Sequence, residues 1–235
     1  MPVTLRPALA VAALALLSAC GSGQAAPPIA GQGLQVIELF QSQGCSSCPP
    51  ANANVMALAD RPNVLTLSWQ VTYWDHIGWK DTYAKPAYTD RQYAYARALK
   101  HNGVWTPQVV INGRGDTVGV NKAELGQALG QFARNGDAIA LSLANGKVTA
   151  SGQTAAAALY VVRYDPRVIQ IPIRAGENGG RTLPHRNVVR EFAPLGQFTG
   201  GTRSWALPAS RQVGLKTAIL AQAGEAGPIV AAIHD

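Results

Sequence analysis

Apolar and polar positions keep three different rhythms along this chain. Residues 8–17 are apolar without a break. Between residues 34 and 136, short apolar runs alternate with stretches of helical period. Beyond residue 137 the helical period disappears and short β-rich runs take over. In the middle section, residues 34–40 predict a buried strand and residues 41–44 a loop. A helix opens at Cys45-Ser46-Ser47-Cys48-Pro49-Pro50 and runs to about residue 59, because Ser is a good N-cap and Pro is tolerated in a first turn. Residues 64–71 predict a second strand, and residues 72–81 an aromatic loop holding Tyr73, Trp74 and Trp79 with Asp75, His76 and Asp81. A helix follows over residues 86–100, with Tyr88, Tyr95, Ala98 and Leu99 on one face. After Trp105-Thr106-Pro107 come a strand over residues 108–111, a turn at Asn112-Gly113 and a short strand near residues 117–120. Asn121, with Glu124 three residues on, starts a last helix whose apolar stripe is Leu125, Ala128, Leu129 and Phe132.

The predicted order is β-α-β-α-β-β-α over residues 34–136, an α/β domain with helices on both faces of its sheet. From residue 137 the runs 139–143, 147–150, 157–164, 168–173, 188–192, 214–221 and 228–233 are spaced like the strands of a small all-β sandwich-like domain over residues 137–235. The apolar fraction of 47% supports a packed core, and the charged fraction of 14% with few runs excludes wholesale disorder. Lys and Arg exceed Asp and Glu by 20 to 13, a net +7, yet the cations are scattered rather than clustered with aromatics. Nucleic acid is therefore not expected as a partner.

Residues 1–19 carry Arg6 and then the unbroken apolar stretch, the pattern of an export signal. The stretch ends Leu17-Ser18-Ala19-Cys20-Gly21, similar to a bacterial lipobox in which the cysteine is lipidated. Acyl chains on Cys20 would anchor the protein at ~0.8 kcal/mol per buried CH₂. The alternative is ordinary cleavage near Ala25-Ala26. Residues 20–33, rich in Gly, Ala, Pro and Gln, predict a tether. The expected location is the bacterial periplasm, with the chain exported and held at a membrane as a lipoprotein.

With Cys20 lipidated or removed, Cys45 and Cys48 are the remaining thiols. In an oxidising compartment such a pair forms a disulfide. A position at a helix start favours a thiolate, through unpaired N–H groups and the positive end of the macrodipole. Cys45 is the expected nucleophile and Cys48 the resolving thiol. Glu38, a carboxylate in an apolar strand, is the expected proton carrier, since such a group must be paired or protonated. Thr106-Pro107 before a strand is a place for a cis proline, with Trp105 beside it. No dissociable cofactor is expected, since the pair itself carries two electrons.

The succession of strand, Cys-X-X-Cys at a helix start, strand, helix, Thr-Pro, hairpin and helix resembles the thioredoxin fold. More narrowly, residues 36–51, Tyr73-Trp74-Asp75 with Gly78-Trp79-Lys80-Asp81, residues 106–114 and His185-Arg186-Asn187-Val188-Val189-Arg190 resemble the secreted thioredoxin-like family known as domain of unknown function 1223. The resemblance covers nearly the whole chain beyond the leader. It implies an α/β thioredoxin-like domain followed by a small all-β domain, and a cis Pro107 that faces the cysteines and, with Thr106 and the neighbouring Trp105, is expected to line the substrate groove. Gly44 stands where thioredoxins carry Trp, and both prolines follow Cys48 instead of lying between the cysteines.

The expected function is thiol–disulfide exchange with thiols or disulfides of envelope proteins, and it requires the Cys45 sulfur to be reachable. One rival is a non-catalytic lipoprotein whose disulfide only staples a loop. The other is a Cu- or Zn-binding protein, although His76, His101, His185 and His234 lack ligand spacing to the cysteines. The pair His185-Arg186 is expected to be a charged strand edge.

Overall fold

The computed structural model describes residues 1–2, 33–153 and 156–235. Residues 3–32, which hold most of the expected leader, Cys20 and nearly all of the tether, lie outside them. The first elements are β1 (Gln35–Gln41), α1 (Cys48–Met56), β2 (Val64–Gln70), a 3-10 turn (Asp75–Ile77), α2 (Pro86–Ala98), β3 (Gln108–Ile111), β4 (Gly115–Thr117) and α3 (Lys122–Gln131). Every residue of β1 and β2 is buried. Such strands read as near-continuous apolar runs because both faces of the sheet are covered. Along β1 successive side chains point to opposite faces. Ile37 and Leu39 pack against Ala51 and Val55 of α1 and Leu125 and Leu129 of α3. Val36 and Phe40 face the other way, toward Trp69 of β2 and Tyr88 and Tyr95 of α2. Asn121 caps α3 by accepting from the N–H groups of Ala123 and Glu124 at 2.9 and 3.3 Å.

The later elements are β5 (Ala140–Ala144), β6 (Lys147–Gly152), β7 (Ala157–Asp165), β8 (Ile169–Pro172), β9 (Thr182–His185), β10 (Val188–Phe198), β11 (Gly201–Ala206), β12 (Lys216–Gln222) and β13 (Ile229–His234). They correct the expected fold class. An α/β thioredoxin-like domain followed by a small all-β sandwich-like domain does not form. One mixed eight-stranded sheet, ordered β13-β12-β7-β10-β2-β1-β3-β4, runs through both halves of the chain. The molecule is mostly β, with three α-helices among the described residues.

The physical reason lies at the flank of β2. A buried, apolar strand left at a sheet edge exposes unpaired N–H and C=O groups. Here β10 covers that flank in parallel, with Val188 opposite Ser68. Ser68 N–H donates to the Asn187 carbonyl at 2.9 Å, and the Asn187 amide donates to Thr66 Oγ1 at 2.8 Å. Side chains close the seam as well. Phe40, Leu67 and Trp69 share one apolar cluster with Val162, Tyr164, Val189 and Leu220. The remaining strands form a three-stranded sheet, β11-β6-β5, which packs Val148 and Ala150 on Leu159, Val161 and Ile219, and a hairpin, β8-β9. That hairpin carries Ile171, Ile173 and Leu183 onto Trp79 and Tyr83.

Candidate functional site

Cys45 and Cys48 are joined in a disulfide with their Cα atoms 5.5 Å apart. Cys48 is the first residue of α1, while Cys45 lies three residues earlier in a turn where Cys48 N–H donates to the Cys45 carbonyl at 3.2 Å. Ser47 occupies the N-cap position without a side-chain capping bond, and its hydroxyl sits 3.2 Å from Cys45 Sγ. Neither cysteine meets solvent: Cys45 is 0% exposed and Cys48 1%. The expectation of an openly presented Cys45 sulfur is therefore corrected.

The cover comes from the loop between β8 and β9. Asn178, itself fully buried, donates from its amide to the Gln43 carbonyl at 2.9 Å and the Cys45 carbonyl at 2.8 Å. Arg181 donates to Asn178 Oδ1 at 2.6 Å and so fixes which end of the amide faces the cysteines. The Glu177 carboxylate accepts from the Ser46 N–H at 2.9 Å and the Ser46 hydroxyl at 2.8 Å. These bonds, that from the Ser46 N–H first, hold the Glu177 carboxyl below its usual range. A second layer comes from the aromatic loop. Ile77 lies over Gly44, where a Cβ would approach its Cδ1 to 3.2 Å, so the small residue at 44 makes room for it.

The polypeptide before the disulfide is fixed from the same side. Gln43 N–H donates to Asp81 at 2.8 Å, and Gln43 Oε1 accepts from Trp79 Nε1 at 2.9 Å. Burial pushes the Asp81 carboxyl up to about 6. The Tyr73–Asp81 loop thus packs and braces: Tyr73 and Trp74 lie on the central core and Trp79 on the hairpin.

The other expected site residues divide. Thr106-Pro107 is a cis peptide and Pro107 is buried. Pairing of Phe40 with Gln108 brings Pro107 to the end of the sheet where β1 passes into the cysteine loop. Trp105 is half-buried, packs edge-on against His101, and its carbonyl accepts from Gln92 at 2.7 Å. Glu38 is not brought to the cysteines. It shares the face of Val36 and Phe40, opposite α1, and is fully buried against Arg91 of α2. Arg91 Nε and Nη2 donate to its two oxygens at 2.7 and 2.9 Å, and the Tyr95 hydroxyl donates to Oε2. A carboxylate so paired is a structural ion pair and not a free proton carrier.

Comparison with known proteins places these residues in a family. The model for "Protein of unknown function (DUF1223)" matches residues 36–222. The chain belongs to the DUF1223 family. It is similar to the crystal structure of the Agrobacterium tumefaciens protein AGR_C_4864, with 29% identity, a TM-score of 0.71, and coverage of 87% of this chain and 95% of that one. HBP35 of Porphyromonas gingivalis has a like fold at 12% identity and a TM-score of 0.55, over 87% of this chain and 75% of that one. No curated protein matches.

Three residues of this DUF1223 chain sit at the disulfide without having been expected there: Glu177, Asn178 and His185. The first two lie in a Gly-rich tip that reads as an ordinary loop. His185, expected at a charged edge, is buried at the end of β9 and lines a small cavity with Cys48, Gln41 and Asn52. Arg186 does behave as an edge residue, pairing with Asp60 at 2.6 Å. Chemically the arrangement is a disulfide at the start of a helix, under a polar cover made by four hydrogen bonds to Asn178 and Glu177.

Proposed function

We propose that this DUF1223 protein is an exported thiol–disulfide exchange protein whose cysteine pair is gated by the β8-β9 tip. The observation that carries the reading is the nature of the cover. Apolar packing alone would hold a disulfide shut without polar contacts that water can replace. This one is sealed by Asn178 and Glu177 from a tip that contains Gly176, Gly179 and Gly180. Glu177, Gly179 and Gly180 of that tip are exposed, and solvent-exposed hydrogen-bonded segments open more readily than a packed core. With the tip lifted, a partner thiolate attacks the Cys45 sulfur. The new bond joins partner and Cys45, the Cys45–Cys48 bond breaks, and its electron pair leaves on Cys48. Attack by Cys48 on the mixed disulfide runs the step backward, and a second partner thiolate completes oxidation of the partner. The partners are thiols or disulfides of envelope proteins. Export follows from residues 1–19, and a lipid anchor at Cys20 would hold the protein at the membrane.

One observation favours a second reading. With Cys45 0% exposed, the disulfide can equally be a staple for the loop that precedes α1. The metal-binding alternative lacks a third ligand, since among the described residues no three His, Cys, Asp or Glu side chains converge. Cys48→Ser decides between exchange and staple. Without its resolving thiol, an exchanging Cys45 accumulates mixed disulfides with envelope proteins. A gel free of adducts, under conditions that trap a control oxidoreductase, establishes the staple.

A further inference from the structure

We propose that His185 is a hydrogen-bond donor held for the Cys48 thiolate: its Nε2–H stabilises the charge that appears on the Cys48 sulfur when the disulfide opens. The inference rests on the exchange reading above and assigns a residue to that same site.

Three observations carry it. First, His185 and Cys48 line one cavity of about 40 Å³, together with Gln41, Ser42 and Asn52. That volume suits a single water, which can bridge groups that line the same cavity. Second, His185 is 2% exposed and its Nε2 has no hydrogen-bond partner within the protein. A buried polar atom without a partner is costly, and natural structures keep few of them.

Third, the groups around the ring favour one tautomer. The Pro184 carbonyl can only accept, so the group 2.7 Å from it is the NH₂ of Asn52. The Asn52 oxygen then accepts from Gln41 Nε2 at 2.9 Å. The Gln41 NH₂ gives its two hydrogens to Asn52 Oδ1 and to Ser68 Oγ at 2.7 Å, and it lies 3.4 Å from His185 Nδ1 with no lone pair to offer. A proton on Nδ1 would meet nothing that accepts it, so the surroundings favour the Nε2–H tautomer. The ring is neutral at physiological pH, because burial pushes its pKa down to about 4.

In the oxidised protein this donor has nothing to bind. The disulfide sulfur carries no charge and is a weak acceptor. Attack on Cys45 moves the bonding pair onto Cys48, and the sulfur becomes a strong acceptor facing the cavity. A lower thiol pKa makes a better leaving group, so the donor speeds opening of the disulfide. No proton leaves the imidazole, and the charge balance is complete without a further reactant. Ser47, beside Cys45 Sγ, gives the other sulfur its own donor.

The test uses the Cys45→Ser protein, which leaves Cys48 as the thiol of the pair. Its pKa is read from thiolate ultraviolet absorbance against pH. His185→Leu is expected to raise that pKa by about one unit or more, a tenfold loss of thiolate, since a hydrogen bond to a charged group is being removed. His185→Gln restores an amide N–H near the position of Nε2 and is expected to retain most of the parental value. A Leu variant with the parental pKa overturns the proposal, as does a Gln variant shifted as far as Leu. Should the Leu variant fail to fold, imidazole ¹⁵N resonances of the otherwise unaltered chain give the answer. The expected result is an Nε2-protonated tautomer whose Nε2 proton moves downfield on reduction. An Nδ1-protonated ring, or an Nε2 signal indifferent to reduction, overturns it. None of these readouts needs a partner protein, so they fail independently of the Cys48→Ser trap.

Discussion

The proposed gate makes its sharpest prediction at Asn178. Asn178→Ala removes the amide that donates to the Gln43 and Cys45 carbonyls at 2.9 and 2.8 Å, deep under the tip. Each carbonyl left without its donor costs about 1–3 kcal/mol, and water entering a loosened tip returns part of that. A net shift of about 2 kcal/mol toward the lifted tip is expected, which multiplies the open population about thirtyfold. If reduction proceeds from the open form, its rate rises by the same factor. The assay is the rate at which a phosphine reductant opens the disulfide in the native protein, followed by alkylation and mass. Urea unfolding of the same variant supplies the control. A local gate gives fast reduction that is nearly independent of dilute urea. A parental rate in Asn178→Ala, or an acceleration with the full urea dependence of global unfolding, refutes the gate.

Three further outcomes are expected. Glu38→Gln leaves the Arg91 guanidinium buried without its counter-charge, so urea denaturation should show a loss of about 3–5 kcal/mol. The rate of disulfide reduction below the unfolding transition should stay at the parental value, because Glu38 faces away from the cysteines; a selective change in that rate would place it in the chemistry. Protonation of His185 is disfavoured in the fold, with a pKa near 4 against 6.5 when unfolded. Its contribution is therefore complete above pH 6.5 and is lost as pH falls through 4, about 3 kcal/mol in all; a stability-against-pH slope identical in His185→Leu would remove His185 from the account. The Glu177 carboxyl is held below its ordinary value by Ser46, so acidification through that lowered value should free the tip and speed reduction by a phosphine. Glu177→Gln should flatten that acid rise, and a rise that persists in it assigns the effect elsewhere.

Local structure was legible in the residues and long-range pairing was not. Residues 35–41 and 64–70 announce themselves as buried strands through short, mostly apolar runs, and Asn121 with Glu124 announces the start of α3. Nothing in such patterns says which strand lies beside which. The flank of β2 is covered by a strand whose first residue is Val188, through one backbone bridge, the Asn187 side chain and an apolar cluster shared with Val189. A two-domain expectation follows naturally when that pairing is invisible. Glu38 repeats the lesson on the scale of one side chain. Its strand was readable and its need for a partner was arguable, yet Arg91 lies 53 residues on, on a helix face where an arginine reads as solvent-facing. At the site, Cys45, Cys48 and Pro107 were visible through spacing. Asn178 and His185 were not, because an amide in a Gly-rich turn and a histidine at a strand end carry no periodic signal.

The distance along the chain between the cysteines and their cover orders events during biogenesis. Ser46 and Cys45 are bound by residues 131 and 133 positions later. A growing chain therefore delivers its two thiols long before the tip that closes over them. Oxidation can take place on an open loop, and the hairpin arrives afterwards to seal the product. The contacts that cover the finished bond are thus all made by chain that follows it.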